Sequence, residues 1–104
     1  MKTIESDLEN KCCDYARKLG VAAVKLEKNG NKGIPDRLFI KNGGSCMFVE
    51  FKKSATEKLK PEQLYWSEFL GTFCHTVWNF ERFKELIDDF VDEYDMISGI
   101  KLDK

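Results

Sequence analysis

The segment Cys46-Met47-Phe48-Val49-Glu50-Phe51-Lys52 has the composition of a buried central strand, yet its end carries a carboxylate and an ammonium. Side chains alternate along a strand, so Phe48, Glu50 and Lys52 share one face and Val49 and Phe51 the other. An unpaired carboxylate costs several kcal/mol to bury, so such a group is paired, protonated or bound to a cation. A second acid, Asp36 in Gly33-Ile34-Pro35-Asp36-Arg37, stands at the start of the preceding apolar stretch Leu38-Phe39-Ile40. Asn42-Gly43-Gly44 is a hairpin turn, which makes 37–41 and 46–52 antiparallel neighbours and brings Asp36 towards Glu50. A divalent cation is the natural way to satisfy both acids.

The remaining elements follow from periodicity. Ile4, Leu8, Cys12, Tyr15, Ala16 and Leu19 recur at helical spacing between a capping Thr3 and a terminating Gly20. Residues 21–26 alternate as a strand, and 27–33 form a polar loop without a packing signal, expected to be mobile in the absence of a ligand. Pro61 opens a helix in which Leu64, Trp66, Phe69 and Leu70 are the apolar positions, Gly71 ends it, and 73–78 is a fourth strand. Asn79 caps a last helix whose stripe Phe80, Phe83, Ile87, Phe90, Val91 and Tyr94 faces a core. The order αβββαβα predicts an α/β fold, a mixed four-stranded sheet flanked by helices, with a helical crossover to the last strand.

A chain of 104 residues with 42% hydrophobic and 12% aromatic content suits one domain over 1–104, with its core at about 4–94. The absence of a long apolar run or a signal-like start predicts a soluble, cytoplasmic protein without a membrane partner. Cys12, Cys13, Cys46 and Cys74 lack zinc-site spacing and read as reduced, mostly buried thiols. The net charge of −1 argues little for a nucleic-acid partner, but its distribution argues more. Basic residues dominate 25–60, and Lys25, Lys28, Lys32, Lys53, Lys58 and Lys60 are candidates for phosphate contacts. His75 reads as a strand residue; Tyr65 and Trp66 could stack on DNA bases, but Trp66, at helical spacing beside Leu64 and Phe69, reads rather as core.

Pro35-Asp36, Glu50-Phe51-Lys52, and Gln63 in the turn that opens a helix resemble the PD-(D/E)xK nuclease superfamily. Within it, Gly33-Ile34-Pro35-Asp36, Val49-Glu50-Phe51-Lys52 and Gln63 are similar to the VRR-NUC family, particularly its small stand-alone members carried by bacteriophages. The resemblance runs from about Ile4 to Phe83. It implies a restriction-endonuclease-like fold and Mg²⁺-dependent cleavage of DNA phosphodiesters, with Mn²⁺ able to substitute. It also implies homodimers that act on branched DNA such as the four-way Holliday junction, in the host cytoplasm if phage-encoded. Two positions depart from the family: Lys60 replaces a serine-like cap, and Phe51 replaces an aliphatic residue.

Carried over by position, the resemblance makes Asp36, Glu50, Glu5 and the backbone carbonyl of Phe51 the metal ligands. Glu9 lies one turn from Glu5 and competes with it for the helix position. Lys52 contacts the attacking water or offsets charge on the phosphoryl group, and Gln63 orients Lys52 or the water. Two other readings stand beside this one. The fold without turnover would be a nucleic-acid-binding or dimerisation module, and Glu50 with Lys52 alone would be a structural ion pair.

Overall fold

The computed structural model describes residues 3–92, 94–95 and 100–101. Helix α1 spans Ile4–Lys18 and opens with a reciprocal cap, in which the Ser6 amide donates to Thr3 Oγ1 and the Thr3 amide to Ser6 Oγ. Gly20, at φ +82°, ends it, with its amide donating to the Arg17 carbonyl. Strands β1 (Ala22–Lys25), β2 (Arg37–Ile40) and β3 (Cys46–Phe51) form an antiparallel meander. Helix α2 (Pro61–Leu70) and a short 3-10 turn, Gly71–Phe73, then cross to β4 (Cys74–Val77), which pairs in parallel with β3. The sheet order is β1-β2-β3-β4. Helix α3 (Phe80–Asp92) begins at the Asn79 cap, whose Oδ1 accepts from the Arg82 amide at 2.7 Å.

One face of the sheet carries the core. Phe39, Val49, Phe51 and Val77 pack with Cys12, Cys13 and Ala16 of α1 and with Phe83, Ile87 and Phe90 of α3. The Phe83 ring lies 5.2 Å from that of Phe39 and 6.4 Å from that of Phe51. Alternation then turns Glu50 and Lys52 to the opposite face, where α2 lies. The elements match the order expected from periodicity, and all four cysteines are free, with Cys12 and Cys13 buried.

Three local expectations need correction. Helix α3 ends at Asp92, and Tyr94 starts a two-residue strand β5 (Tyr94–Asp95) paired with β6 (Ile100–Lys101); its side chain lies outside the described residues. Helix α2 contributes no buried residue, and Leu64 and Phe69 face outward, because only a narrow strip of this helix meets the sheet. The loop 27–33 does pack. Gly33, at φ +87°, lies so close to α2 that a Cβ there would stand 2.4 Å from Glu62 Cβ. Gly30, at φ +76°, has nothing within 4 Å of such an atom.

The two glycines give a controlled comparison. Gly30→Ala should cost about 1 kcal/mol for left-handed backbone alone. Gly33→Ala adds a clash with helix backbone and should cost at least ~2–3 kcal/mol, read as a larger fall in the chemical denaturation midpoint. Equal losses would show that the contact of Gly33 with α2 is unimportant.

Candidate active site

Asp36 sits one residue ahead of β2, behind the buried Pro35, and its amide donates to the Val49 carbonyl at 3.1 Å. That bond continues the β2–β3 pairing by one step. The Asp36 carboxylate is turned towards the end of β3, where Oδ2 accepts from the Phe51 amide at 2.8 Å. The Phe51 ring stays in the core, so only its backbone faces the site.

Glu50 and Lys52 are 7% and 3% exposed, which is rare for charged residues unless they are partnered. Gln63, in the first turn of α2, partners both. Its Oε1 accepts from Lys52 Nζ at 2.9 Å and from the Lys60 amide at 2.8 Å, while its Nε2 donates to Glu50 Oε2 at 2.9 Å. One amide therefore caps the helix and bridges the two charges. Lys52 Nζ lies 3.8 Å from Glu50 Oε2 and 3.9 Å from Glu57 Oε2. Glu50 Oε1 is buried and has no hydrogen-bond partner. Burial, and then the Asp36 charge, push the Glu50 carboxyl up to about 7, against the smaller opposing pull of Lys28 and Lys52.

The two candidate acids of α1, Glu5 and Glu9, separate. Glu9 Oε2 receives Arg37 Nε at 2.6 Å and Lys25 Nζ at 3.0 Å. Burial raises its carboxyl, but these two cations outweigh it and leave it below its ordinary value. Glu5 instead faces Glu57, Lys52 and Asp36, and burial followed by a hydrogen bond with Glu57 raises it. Glu57 was not singled out from the sequence. Its Oε1 accepts from the Lys53 amide at 3.0 Å, folding 53–57 back onto Lys52, and that bond foremost lowers its carboxyl. The signal for it is the turn-forming Ser54-Ala55-Thr56 between them, with the Glu57 amide donating to the Ser54 carbonyl.

Three of the six candidate phosphate-binding lysines are held by acids. Lys25 is on Glu9; Lys28 is 3.3 Å from Asp36 Oδ1 and also donates to the Ile34 carbonyl; Lys32 is 3.1 Å from Glu62. Lys53, Lys58 and Lys60 are exposed on the β3–α2 connection.

Among the described residues, no three acidic, histidine or cysteine side chains form a ready-made metal cage. The donors that converge nonetheless suit a hard cation. They are carboxylate oxygens, and one of them, Glu50 Oε1, is buried without a partner. Mg²⁺ is commonly held by one or two carboxylates, its other positions filled by water and phosphate oxygens.

A raised Glu50 carboxyl has a consequence for stability in metal-free buffer. The folded state binds this proton more tightly than the unfolded chain, so Glu50 costs nothing below pH 4.5 and progressively more as pH rises to about 7. Glu50→Gln, which keeps an acceptor for Gln63 Nε2, should therefore melt close to wild type at pH 4.5 but several degrees higher at pH 8 in EDTA. A variant no more stable at pH 8 would contradict the unpaired-charge account.

No family profile matches the sequence. Over 60 residues the chain is 38% identical to the "Putative nuclease p44" of Acyrthosiphon pisum secondary endosymbiont phage 1, a match that covers 58% of this chain and 63% of that protein. A solved structure described as a VRR-NUC domain superposes with a TM-score of 0.77 at 30% identity, covering 86% of this chain and 99% of its own. The likeness is one of fold, a mixed four-stranded sheet flanked by helices. With the fold shared over 86% of the chain at 30% identity, and with a phage nuclease matched over 58% of it, the chain belongs to the VRR-NUC family of nucleases.

Proposed function

We propose that this protein is a metal-dependent endonuclease that hydrolyses DNA phosphodiesters, acting as a homodimer on branched DNA such as a four-way junction. The observation that carries the reading is a buried Lys52 ammonium tied through Gln63 to a half-unpartnered Glu50, with the Asp36 carboxylate beside them. A purely structural ion pair would not leave Glu50 Oε1 without a partner or set a second acid against it.

Asp36 and Glu50 would hold Mg²⁺, with Glu5 and the Phe51 carbonyl as the further oxygen donors; Mn²⁺ suits the same set. Such an ion supplies a lowered pKa for bound water and charge withdrawal from the phosphoryl group. The protein's own part lies in placement. The Phe51 amide orients Asp36, and Gln63 aims Lys52 while holding one oxygen of Glu50. Lys52 offers a fixed positive charge to the phosphoryl oxygens as negative charge develops on them, and a donor fixed beforehand does not have to reorganise during reaction. Exposed Lys53, Lys58 and Lys60 border this site, and Lys25, Lys28 and Lys32 can exchange an internal acid for a DNA phosphate. The working compartment is the cytoplasm, that of the host cell if the protein is phage-encoded.

Labelled four-way junction, flap, single-stranded and linear duplex DNA, incubated with Mg²⁺, Mn²⁺ or EDTA, test the proposal. Wild type should cut in metal and not in EDTA, preferring a branched substrate. Lys52→Ala should lose at least ~10²-fold in kcat while still binding DNA. Binding of DNA without cleavage of any substrate would instead support a non-catalytic module.

A further inference from the structure

We propose that Lys28 holds the place of the cation on Asp36 and is released to a DNA phosphate when the cation binds, so that metal and substrate are taken up together. The inference rests on the metal-dependent reading above and deepens it. Asp36 divides its two oxygens. Oδ2 accepts from the Phe51 amide, which leaves Oδ1 as the one able to face a cation. Lys28 Nζ lies 3.3 Å from that Oδ1 and also donates to the Ile34 carbonyl. An ammonium between a carboxylate oxygen and a main-chain carbonyl has the surroundings that a hard cation takes. Its charge reaches the second acid as well. Burial and then the Asp36 charge raise the Glu50 carboxyl, and of the two cations opposing them Lys28 acts more strongly than Lys52.

Lys28 and Lys52 both border these acids, and only Lys28 can leave. Lys52 is buried, follows β3 and donates to Gln63. The Lys28 side chain is 44% exposed, and an ion pair open to water to that extent is weak and readily exchanged. The main chain of the loop need not move. The Leu26 amide donates to the Asp36 carbonyl, the Asn31 amide to the Lys28 carbonyl and the Ile34 amide to the Asn31 carbonyl, while Lys32 and Gly33 fasten the loop to α2. Rotation within the flexible four-carbon stem is enough to carry Nζ off Oδ1. Lys25 and Lys32 lack this coupling, because their partners Glu9 and Glu62 are not among the proposed donors to the cation. An ammonium beside Asp36 and Glu50 is repelled once a divalent ion sits on them, and the DNA phosphate that joins that ion attracts it.

Lys28→Met and Lys28→Arg test this through two binding measurements that need no turnover. Mn²⁺ titrated into the DNA-free protein, followed by electron paramagnetic resonance, should bind about three- to tenfold tighter in Lys28→Met than in wild type, since a competing charge is gone. Lys28→Arg, which keeps that charge, should stay close to wild type. DNA binding should change in the opposite sense. The best bound of the four labelled DNAs, held uncut by a Lys52→Ala background, should bind Lys28→Met more weakly in Mn²⁺, with a salt dependence flatter by about one phosphate contact. In EDTA the variant and its parent should agree. A misfolded variant would lose on both measurements rather than gain on one. Equal Mn²⁺ affinity in wild type and Lys28→Met, or a DNA-binding defect as large in EDTA as in Mn²⁺, would overturn the proposal and leave the nuclease reading standing. Absence of Mn²⁺ binding in both would overturn the metal-dependent reading and this inference with it.

Discussion

A lysine and a glutamate buried side by side persist only if each keeps a hydrogen-bonding partner, and the Gln63 amide supplies both. Its geometry determines much else. Gln63 must arrive over the end of β3 from the face opposite the core, which places α2 there, and α2 in turn delivers the chain to β4 parallel to β3. Lys52 continues the same parallel pairing through its amide, which donates to the Val77 carbonyl at 2.8 Å. Sheet topology and site are therefore two results of the same crossover.

Much of this was legible because burial writes itself into periodicity. Alternation along 46–52 separated Glu50 and Lys52 from Val49 and Phe51, and the Asn-Gly-Gly turn set Asp36 opposite the end of β3. The stripe of α3 is wide, and Phe83, Ile87 and Phe90 within it are buried, so its inward residues were plain. In α2 the same kind of stripe was misleading. Apolar residues at helical spacing imply a covering surface but do not say whether it belongs to the same chain, and Leu64 and Phe69 face outward. The Gly33 contact was not visible because it depends on where a loop returns in space, and Ser54-Ala55-Thr56 marks a turn without saying that Glu57 folds back onto Lys52. The choice between Glu5 and Glu9 depended on Arg37, which crosses from β2 to claim Glu9.

Charge in this molecule is arranged more by place than by amount. The near-zero net charge conceals a site where acids face acids, half-buried Glu5 against Glu57 and Asp36 against the buried Glu50, with Lys52 among them. Around it, lysines that look like a nucleic-acid surface in sequence are partly engaged with Glu9, Asp36 and Glu62. Those pairs lie at or near the surface, where ion pairs are weak and readily exchanged.

The double use of the Gln63 oxygen also bears on how this chain can change over generations. Lys52 follows directly on β3 with its amide held by the Val77 carbonyl, and its ammonium bonds a side chain rather than the main chain, so it can be exchanged with the scaffold left in place. Gln63 cannot, since the atom that steadies Lys52 also closes the first turn of α2 through the Lys60 amide. A lineage that loses its chemistry would shed the charged residues early and keep this glutamine, leaving a recognisable relic of the site in a protein that no longer cuts.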